Sequence, residues 1–229
     1  AMSLNVSTFN CTNVGPNPVI LTVNDGNNNS DTCVANAIVI PAPLQGTITS
    51  PTTTCGYNIT CSGGSTGQAT ASGVGSCPSY TYLWSNNATT PTITGLAAGT
   101  YNVLITSSSG AIHTETITLT EPSPMAATFT NTPSCDGAST GTIDVTATGG
   151  NDCLSYTYLW SNGATGASIT GLAPGTYTVT ITDGSGCTFV ATETVVNLPA
   201  PTPLFNQSGN VLTATQAYTS YQWLIGGSP

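Results

Sequence analysis

The sequence predicts an all-β fold made of tandem β-sandwich modules, and three observations support this. Residues 77–110 align without gaps to residues 153–186, and 24 of the 34 positions are identical, so one module occurs twice. In residues 176–182 the apolar Tyr177, Val179 and Ile181 alternate with threonines, which is typical of a half-buried strand. The sequence shows no apolar stripe with helical spacing over ten or more residues.

Proline-rich segments predict where the modules begin and end. Pro-x-Pro occurs near residues 41, 122 and 199. Because proline favours extended conformations, these segments are expected to be short, stiff linkers. We therefore expect four regions: residues 1–41, a first repeat at 42–122, a second repeat at 123–200, and residues 201–229.

Two motifs in each repeat indicate the type of sandwich. Leu-Ala-x-Gly-Thr-Tyr precedes a predicted strand in both copies, as in the tyrosine corner of immunoglobulin-like sandwiches, where the Tyr hydroxyl bonds to upstream backbone. A Trp follows a Tyr by two residues on the strand that corresponds to strand C, the place of the core tryptophan in that fold. Trp223 predicts that residues 201–229 begin a further module. The expected core residues are Tyr82, Trp84, Tyr101, Tyr158, Trp160 and Tyr177.

Residues 1–41 are predicted to form a hairpin, the second half of another sandwich. Its turn contains Asp25, Asn27, Asn29 and Asp31, which alternate like the start of an oxygen-ligand calcium loop. The twelfth position of such a loop would be Asn36 and not Glu, and a polar hairpin turn explains the same residues. Calcium is therefore a possible ligand here, and no other cofactor is expected.

The charge composition excludes several classes of partner. The chain has no Lys or Arg, nine Asp and Glu, one His, and a formal net charge of −9. It cannot neutralise phosphates or bind anionic lipid through a basic patch, so neither nucleic acid nor a membrane surface is an expected partner. No apolar run reaches the roughly 18 residues of a membrane span, so no membrane insertion is expected.

Catalytic chemistry has little support in the sequence. His113 is the only histidine, so any Ser-His or Cys-His unit would depend on it. Glu115 lies two residues away on a predicted strand, and no serine is surrounded by Gly-x-Ser-x-Gly. Only Glu115 and Glu193 correspond as acids between the repeats. We expect a non-enzymatic scaffold with His113 on a strand surface.

Eight cysteines without a CxxC pair predict disulfides and an oxidising compartment outside the cell. Cysteines before and after strand B, such as Cys61 and Cys77, are expected to lie over 20 Å apart, beyond disulfide reach. The BC and FG loops share one end of a sandwich, which favours Cys153 with Cys187. Cys55, placed at the start of strand A, would reach that end in the first repeat. The expected pairs are Cys11–Cys33, Cys55–Cys77 and Cys153–Cys187, with Cys61 and Cys135 left over.

The two repeats resemble the SprB-type repeat of Bacteroidota surface proteins. The resemblance rests on Cys-x-Gly, Tyr-Thr-Tyr-Leu-Trp-Ser-Asn, the Tyr corner and the closing Asp-Gly-Ser-Gly-Cys at 183–187. The first repeat departs from the pattern at 107–111, which lacks that Asp and Cys. Residues 1–41 resemble part of an HYR-like immunoglobulin module. The family implies export by the type IX system and a role in attachment or gliding, and its cysteine positions suggest Cys135–Cys187 as a rival pair.

These observations predict a structural stalk or display segment of an extracellular adhesin or surface filament. Its expected partners are other domains of one large protein. Two alternatives remain open at this point. One is an accessory carbohydrate-binding region of a secreted polysaccharide-degrading enzyme, with surface glycans bound on loops. The other is a self-assembling fibre subunit with contacts between copies of the chain.

Overall fold

A computed structural model describes residues 2–5, 8–27, 29–199, 205–208 and 211–214. In this part of the chain the regular structure is strand throughout, apart from one 3-10 turn at Cys11–Asn13. The predicted all-β class is confirmed. No helix among the described residues is long and apolar enough to cross a membrane. Trp223 lies outside the described residues, so its predicted module stays a prediction.

The N-terminal region forms one three-stranded antiparallel sheet in the order β1-β2-β3. The predicted hairpin is present, with Gly15 opposite Val39 and Asn24 opposite Ser30. Proline at Pro16 and Pro18 fits this position, because both residues lie at the strand start. Val34 and Ile38 are about 70% exposed, so this sheet has an uncovered apolar surface. The strands are β1 (Met2–Leu4), β2 (Gly15–Asn24) and β3 (Ser30–Val39).

The first repeat consists of two three-stranded sheets. One has the order β4-β5-β7 and the other β6-β8-β9, which corresponds to A-B-E and C-F-G of an immunoglobulin-like sandwich. Both sheets are antiparallel, with Trp84 opposite Val103 and Ile105 opposite His113. The strands are β4 (Gln45–Thr49), β5 (Gly67–Val74), β6 (Tyr80–Trp84), β7 (Thr92–Leu96), β8 (Gly99–Ser107) and β9 (Ile112–Leu119).

The core of this sandwich lies between the inward faces of both sheets. Alternation places Tyr80, Tyr82 and Trp84 inward, whereas Leu83 points outward and is 49% exposed. Trp84 is almost fully buried and its indole NH donates to the Thr90 carbonyl at 2.9 Å. The other buried core members are Leu44, Ile59, Ala69, Ala71, Ile93, Leu96, Val103, Ile105 and Leu119.

The second repeat has the same strand order, with sheets β10-β12-β14 and β13-β15-β16, and a short parallel pair of β11 with β17. Trp160 is again buried and donates to the Gly166 carbonyl at 2.8 Å. The strands are β10 (Ala126–Thr132), β11 (Ser134–Cys135), β12 (Gly141–Thr148), β13 (Thr157–Trp160), β14 (Ser168–Leu172), β15 (Gly175–Thr182), β16 (Thr188–Val195) and β17 (Asn197–Leu198). A final hairpin pairs β18 (Phe205–Ser208) with β19 (Val211–Ala214).

The chain divides into two compact units whose limits differ from those of the repeats. The first unit contains residues 1–127 together with residues 147–157 and 180–189. The second contains residues 128–146, 158–179 and 190–229. Loops at one end of the second repeat therefore belong to the same unit as the whole first repeat.

Hydroxyl pairs take the place of ion pairs across the outer faces of the sheets. In the first unit the Thr70 and Thr92 hydroxyls lie 3.0 Å apart, and those of Thr100 and Thr118 lie 3.1 Å apart. In the second unit Thr176 and Thr194 form a similar pair at 3.2 Å. Such cross-strand pairs stabilise neighbouring strands by fractions of a kcal/mol each, about 0.2 to 1. Among the described residues, the ion-pair contact is His113 with Glu115.

Candidate functional site: a disulfide joint

Three loops meet in the first compact unit around two disulfides, and we call this cluster the joint. It consists of loop 50–66, loop 149–156 and loop 183–187. Cys55 is bonded to Cys153 and Cys61 to Cys187, with Cα–Cα distances of 5.7 Å in both bridges. Loop 50–66 belongs to the first repeat and the other two loops to the second. The joint therefore ties consecutive repeats together covalently at two points.

A third disulfide joins the N-terminal region to the first repeat. Cys11 is bonded to Cys77 with a Cα–Cα distance of 5.4 Å. Cys11 begins the 3-10 turn, and Asn10 caps that turn by accepting from the Thr12 amide at 2.9 Å. Cys77 lies in the loop between β5 and β6, the counterpart of the loop that carries Cys153. In both cases the BC loop of one module is linked to the region before it.

The predicted pair Cys11–Cys33 is wrong. Cys33 lies in the middle of β3, opposite Leu21, and its thiol is free and exposed. Cys11 lies just before Gly15, which pairs with Val39 at the other end of the same hairpin. Six strand residues separate Val39 from Cys33, about 20 Å, which is beyond disulfide reach.

The predicted pairs Cys55–Cys77 and Cys153–Cys187 are also wrong, because the bridges run between repeats and not within them. Cys55 follows β4 and does not precede it, so it lies in loop 50–66 and not at the start of strand A. Cys61, predicted to be left over, is bonded to Cys187. The rival pair Cys135–Cys187 is wrong for the same reason.

A difference in loop length explains why the cysteines of the first repeat reach the second. β4 and β5 are separated by 17 residues, whereas the equivalent strands β10 and β12 are separated by eight. The longer loop carries both Cys55 and Cys61, and the shorter one carries Cys135 alone. Cys135 has a free, exposed thiol, as predicted. The length difference is visible in the aligned sequences and was the missed signal.

Asn151 connects the loops of the joint without a disulfide. Its side chain has no exposed surface, and its amide nitrogen donates to the Thr60 carbonyl at 2.7 Å. Its main-chain NH donates to Asp183 Oδ2 at 2.8 Å. The loop from Gly149 to Tyr156 is two residues longer than its counterpart from Gly75 to Tyr80, so Asn151 belongs to an insertion.

Asp183 organises the loop that carries Cys187. Its Oδ1 accepts from the main-chain NH groups of Ser185 and Cys187, both at 2.9 Å, and only 4% of the residue is exposed. Burial by itself raises the pKa of Asp183, but the main-chain amides of Asn151, Cys187 and Ser185 favour the charged carboxylate and together lower that pKa below its usual value. The carboxylate therefore stays ionised in a nearly buried position without a cationic partner.

The first repeat solves the same turn with hydroxyl groups. Ser107 occupies the position of Asp183, is 4% exposed, and its hydroxyl lies 3.1 Å from Ser76 Oγ and 2.9 Å from Ser109 Oγ. Its main-chain NH donates to Ala111 O at 2.9 Å, as that of Asp183 does to Cys187 O. Throughout the described residues, no buried polar side-chain atom lacks a hydrogen-bond partner. The Asp and Cys of 183–187 are therefore additions for the joint, and the turn forms without them.

The predicted core residues occupy the positions expected for them. The Tyr101 hydroxyl donates to Ala97 O at 3.1 Å and the Tyr177 hydroxyl to Ala173 O at 3.0 Å, which is the tyrosine-corner bond in both repeats. Trp84 and Trp160 are 1% and 2% exposed. Tyr82 and Tyr158 are half-buried beside them on the same strands. The two tryptophans are thus unavailable for stacking on a sugar ring.

The predicted calcium loop is a hairpin turn closed by its own hydrogen bonds. Asp25 Oδ1 accepts from the Asn27 amide at 2.7 Å, and Asp25 Oδ2 accepts from Asn29 Nδ2 at 2.8 Å. These donors, the main-chain amide of Asn27 first, lower the pKa of Asp25. Asp31 lies on β3, opposite Val23. In the described part of the chain, no group of three or more His, Cys, Asp or Glu is arranged to hold a metal ion. Calcium binding stays a prediction.

His113 lies on β9, where its Nε2 is 2.8 Å from Glu115 Oε1. Both side chains are about one-third exposed. The pair lies on one face of the strand, since residues two apart point to the same side. This is the strand-surface placement that the sequence predicts for the histidine.

The geometry of the repeats can now be set beside known protein families. Residues 57–89 and 126–165 each match the family model of the SprB repeat. Two segments match one repeat family. The first SprB match starts inside loop 50–66 and includes Cys61, and the second includes Cys135 and Cys153. The SprB repeats and the immunoglobulin-like sandwiches indicate an adhesin-type structural region outside the cell.

Comparison with solved structures gave immunoglobulin-domain proteins at low identity. The N-terminal eight Ig domains of Down Syndrome Cell Adhesion Molecule match with 14% identity and a TM-score of 0.33, over 84% of this chain and 28% of that structure. An amphioxus IgVJ-C2 molecule matches with 16% identity and a TM-score of 0.27, over 66% of this chain and 96% of that one. The chain thus spans less than a third of the first of these structures. A comparison with curated proteins gave no match.

Proposed function

We propose that the chain is a tension-bearing stalk segment of a large extracellular adhesin or surface filament, without catalytic activity. The observation that supports this most directly is the overlap of the three disulfides. Cys11–Cys77, Cys55–Cys153 and Cys61–Cys187 interleave along the sequence, so each bridge begins inside the loop closed by the one before or beside it. A row of independent domains needs no such interleaving.

The interleaved bridges shorten the covalent path that a pulling force would follow. Cys11 and Cys187 are 176 residues apart in sequence, which corresponds to about 600 Å when fully extended. Through the bridges, the path runs from Cys11 to Cys77, back along 16 residues to Cys61, and across to Cys187. Those 16 residues extend to about 55 Å. Unfolding under tension would therefore lengthen this region little, as suits a stalk that holds a cell to a surface.

The chemistry of the chain supports a location outside the cell. Disulfides of this kind persist in oxidising surroundings and are rare in the cytosol. The absence of Lys and Arg removes every trypsin-type cleavage site from an exposed chain. The resemblance to SprB-type proteins further supports attachment or gliding as the process served and the type IX system as the export route.

Single-molecule force spectroscopy on the full chain, held by its two termini with Cys33 and Cys135 alkylated, tests this proposal. The reduced chain is expected to release about 500 Å more contour length than the oxidised chain. A control with Cys61→Ser and Cys187→Ser keeps the other two bridges and a 56-residue path, so it is expected to fall between them, at about 190 Å for that path. Equal lengthening of the oxidised and reduced chains would overturn the proposal.

A further inference from the structure

The loop that carries Cys135 repeats the sequence and the shape of the loop that carries Cys61. Residues 61–67 read Cys-Ser-Gly-Gly-Ser-Thr-Gly and residues 135–141 read Cys-Asp-Gly-Ala-Ser-Thr-Gly, with five of seven positions identical. The Gly64 amide donates to Cys61 O at 2.9 Å, and the Ala138 amide donates to Cys135 O at 2.9 Å. The third residue is a glycine with φ of +71° in both, a conformation that side chains disfavour.

Both loops are also held on the strand by which the chain leaves its repeat. In the first repeat the Ile59 amide donates to Thr120 O at 3.0 Å and the Gly63 amide to Glu121 Oε2 at 2.7 Å. In the second, the Ser134 amide donates to Val196 O at 3.0 Å and the Gly137 amide to Asn197 Oδ1 at 2.9 Å. Val196 and Asn197 are the counterparts of Thr120 and Glu121. The two loops are therefore presented in the same way beside the departing chain.

One of these two loops is occupied and the other is free. Cys61 is bonded to Cys187, and the Thr60 carbonyl beside it accepts from Asn151. Cys135 has an exposed, unbonded thiol among the described residues. The occupied copy shows what the loop binds: an FG loop of the Asp-x-x-x-Cys type together with a BC-loop Asn, both from the repeat that follows in the chain.

We propose that Cys135 is the attachment point for the next SprB-type module of the same polypeptide, through a disulfide to that module's FG-loop cysteine. This deepens the proposed stalk function, on which it rests. The occupant is a following module because the chain that leaves β16 passes directly beside the loop at Val196. A single bridge is expected here, since the eight residues between β10 and β12 hold no counterpart of Cys55.

The bond forms by thiol–disulfide exchange with an external disulfide such as oxidised glutathione. The Cys135 thiolate attacks that disulfide and releases one thiolate, and the FG-loop thiolate then displaces the second. One Sγ–Sγ bond forms, the oxidant disulfide is reduced to two thiols, and the two cysteines lose two protons and two electrons.

An extended chain tests the proposal: residues 1–198 followed directly by a second copy of residues 123–200. In the added copy the counterpart of Cys153 is replaced by serine, so that its FG-loop cysteine is the intended partner. The chain is oxidised in a glutathione buffer, its free thiols are alkylated, and it is digested with pepsin at acid pH, which limits exchange. The expected product is a peptide pair that joins Cys135 to the added copy's Cys187, with complete loss of alkylation at Cys135.

The Cys61–Cys187 bridge in the same molecule is the internal reference. If that bridge forms while Cys135 and the added copy's Cys187 are both alkylated, the attachment proposal is overturned and the stalk proposal stands. If Cys135 is joined to any other cysteine, it is also overturned. If the Cys61–Cys187 bridge is itself absent, the joint is wrong and both proposals fail. A chain with Cys33→Ser is expected to give the same Cys135 bridge as its parent.

Discussion

The side-chain amide of Asn151 donates to the main-chain carbonyl of Thr60 at 2.7 Å, 91 residues earlier in the sequence. Asn151 has no exposed surface, although it lies in a loop and not in a strand. Buried polar groups of this kind are costly when left without a partner and therefore fix a single arrangement of the surrounding chain. The hydrogen bond thus orients the loops of the joint in addition to the two disulfides that connect them.

Replacement of Asn151 by alanine is expected to destabilise the joint by about 1 to 3 kcal/mol, because the Thr60 carbonyl loses its donor in a buried position. Urea denaturation of the oxidised chain, followed by tryptophan fluorescence, measures this. Asn36→Ala on the exposed face of β3 is a matched control and should leave the unfolding midpoint unchanged. An Asn151→Ala chain as stable as its parent would show that water replaces the amide at no cost.

Asp183 predicts an acid-sensitive contribution to stability. Because its folded-state pKa is lowered below the usual 3.8, the stabilisation is complete above that value and is lost as the pH falls through the folded pKa. Asp183→Asn removes charge-assisted hydrogen bonds and is expected to cost about 1.5 to 3 kcal/mol near neutral pH. The difference between the two chains should shrink as the pH is lowered from about 6 to about 2.5.

Unfolding free energies across this pH range provide the test. Asp144→Asn, at an exposed position on β12, is the control and should give a curve parallel to that of the parent. A difference between parent and Asp183→Asn that stays constant down to pH 2.5 would contradict the role assigned to the carboxylate.

The disulfide pattern predicts a defined set of cross-linked peptides. Pepsin digestion of the oxidised chain should release peptides joined through Cys11–Cys77, Cys55–Cys153 and Cys61–Cys187. Thiol titration of the native chain should find two reactive groups, Cys33 and Cys135, because both are exposed and unbonded. Detection of Cys55 joined to Cys77, or of Cys153 joined to Cys187, would mean that the repeats are bridged internally.

The tyrosine corners predict a small and equal effect in both repeats. Tyr101→Phe and Tyr177→Phe each remove one hydroxyl bond to upstream backbone, at a cost of about 0.5 to 1 kcal/mol since the hydroxyls are solvent-exposed. Thermal denaturation of the single variants measures the loss. Tyr158→Phe removes a hydroxyl from a half-buried ring that has no corner role, and it serves as the reference. A loss in one repeat only would show that the two corners are not equivalent.

The sequence was sufficient for those features that depend on local pattern. Alternation of Tyr177, Val179 and Ile181 with threonines predicted β15, and it predicted which side faces inward. The Tyr-x-Trp spacing predicted the burial of Trp84 and Trp160. These predictions succeed because strand periodicity and the tyrosine corner are properties of a few consecutive residues within one module.

Prediction failed where one module meets the next. The cysteine pairs were assigned within modules, because periodicity gives the register inside a sandwich but not which loop lies against a neighbour. The extra residues of loop 50–66 and the insertion that contains Asn151 both belong to the joint. Each was visible as a mismatch between the aligned repeats, so departures from the repeat marked the contact and the identical residues marked the core.

The hydroxyl pairs across the sheets determine how the protein responds to salinity. Ion pairs weaken as salt screens them, whereas contacts such as Thr70–Thr92 and Thr100–Thr118 carry no net charge and are unaffected. The remaining electrostatic force is repulsion among carboxylates in a chain of net charge −9, which salt relieves. A surface held together in this way keeps its strength in dilute water and gains slightly in brine, so a cell anchored by it would not lose its grip when the ionic strength of its surroundings changes.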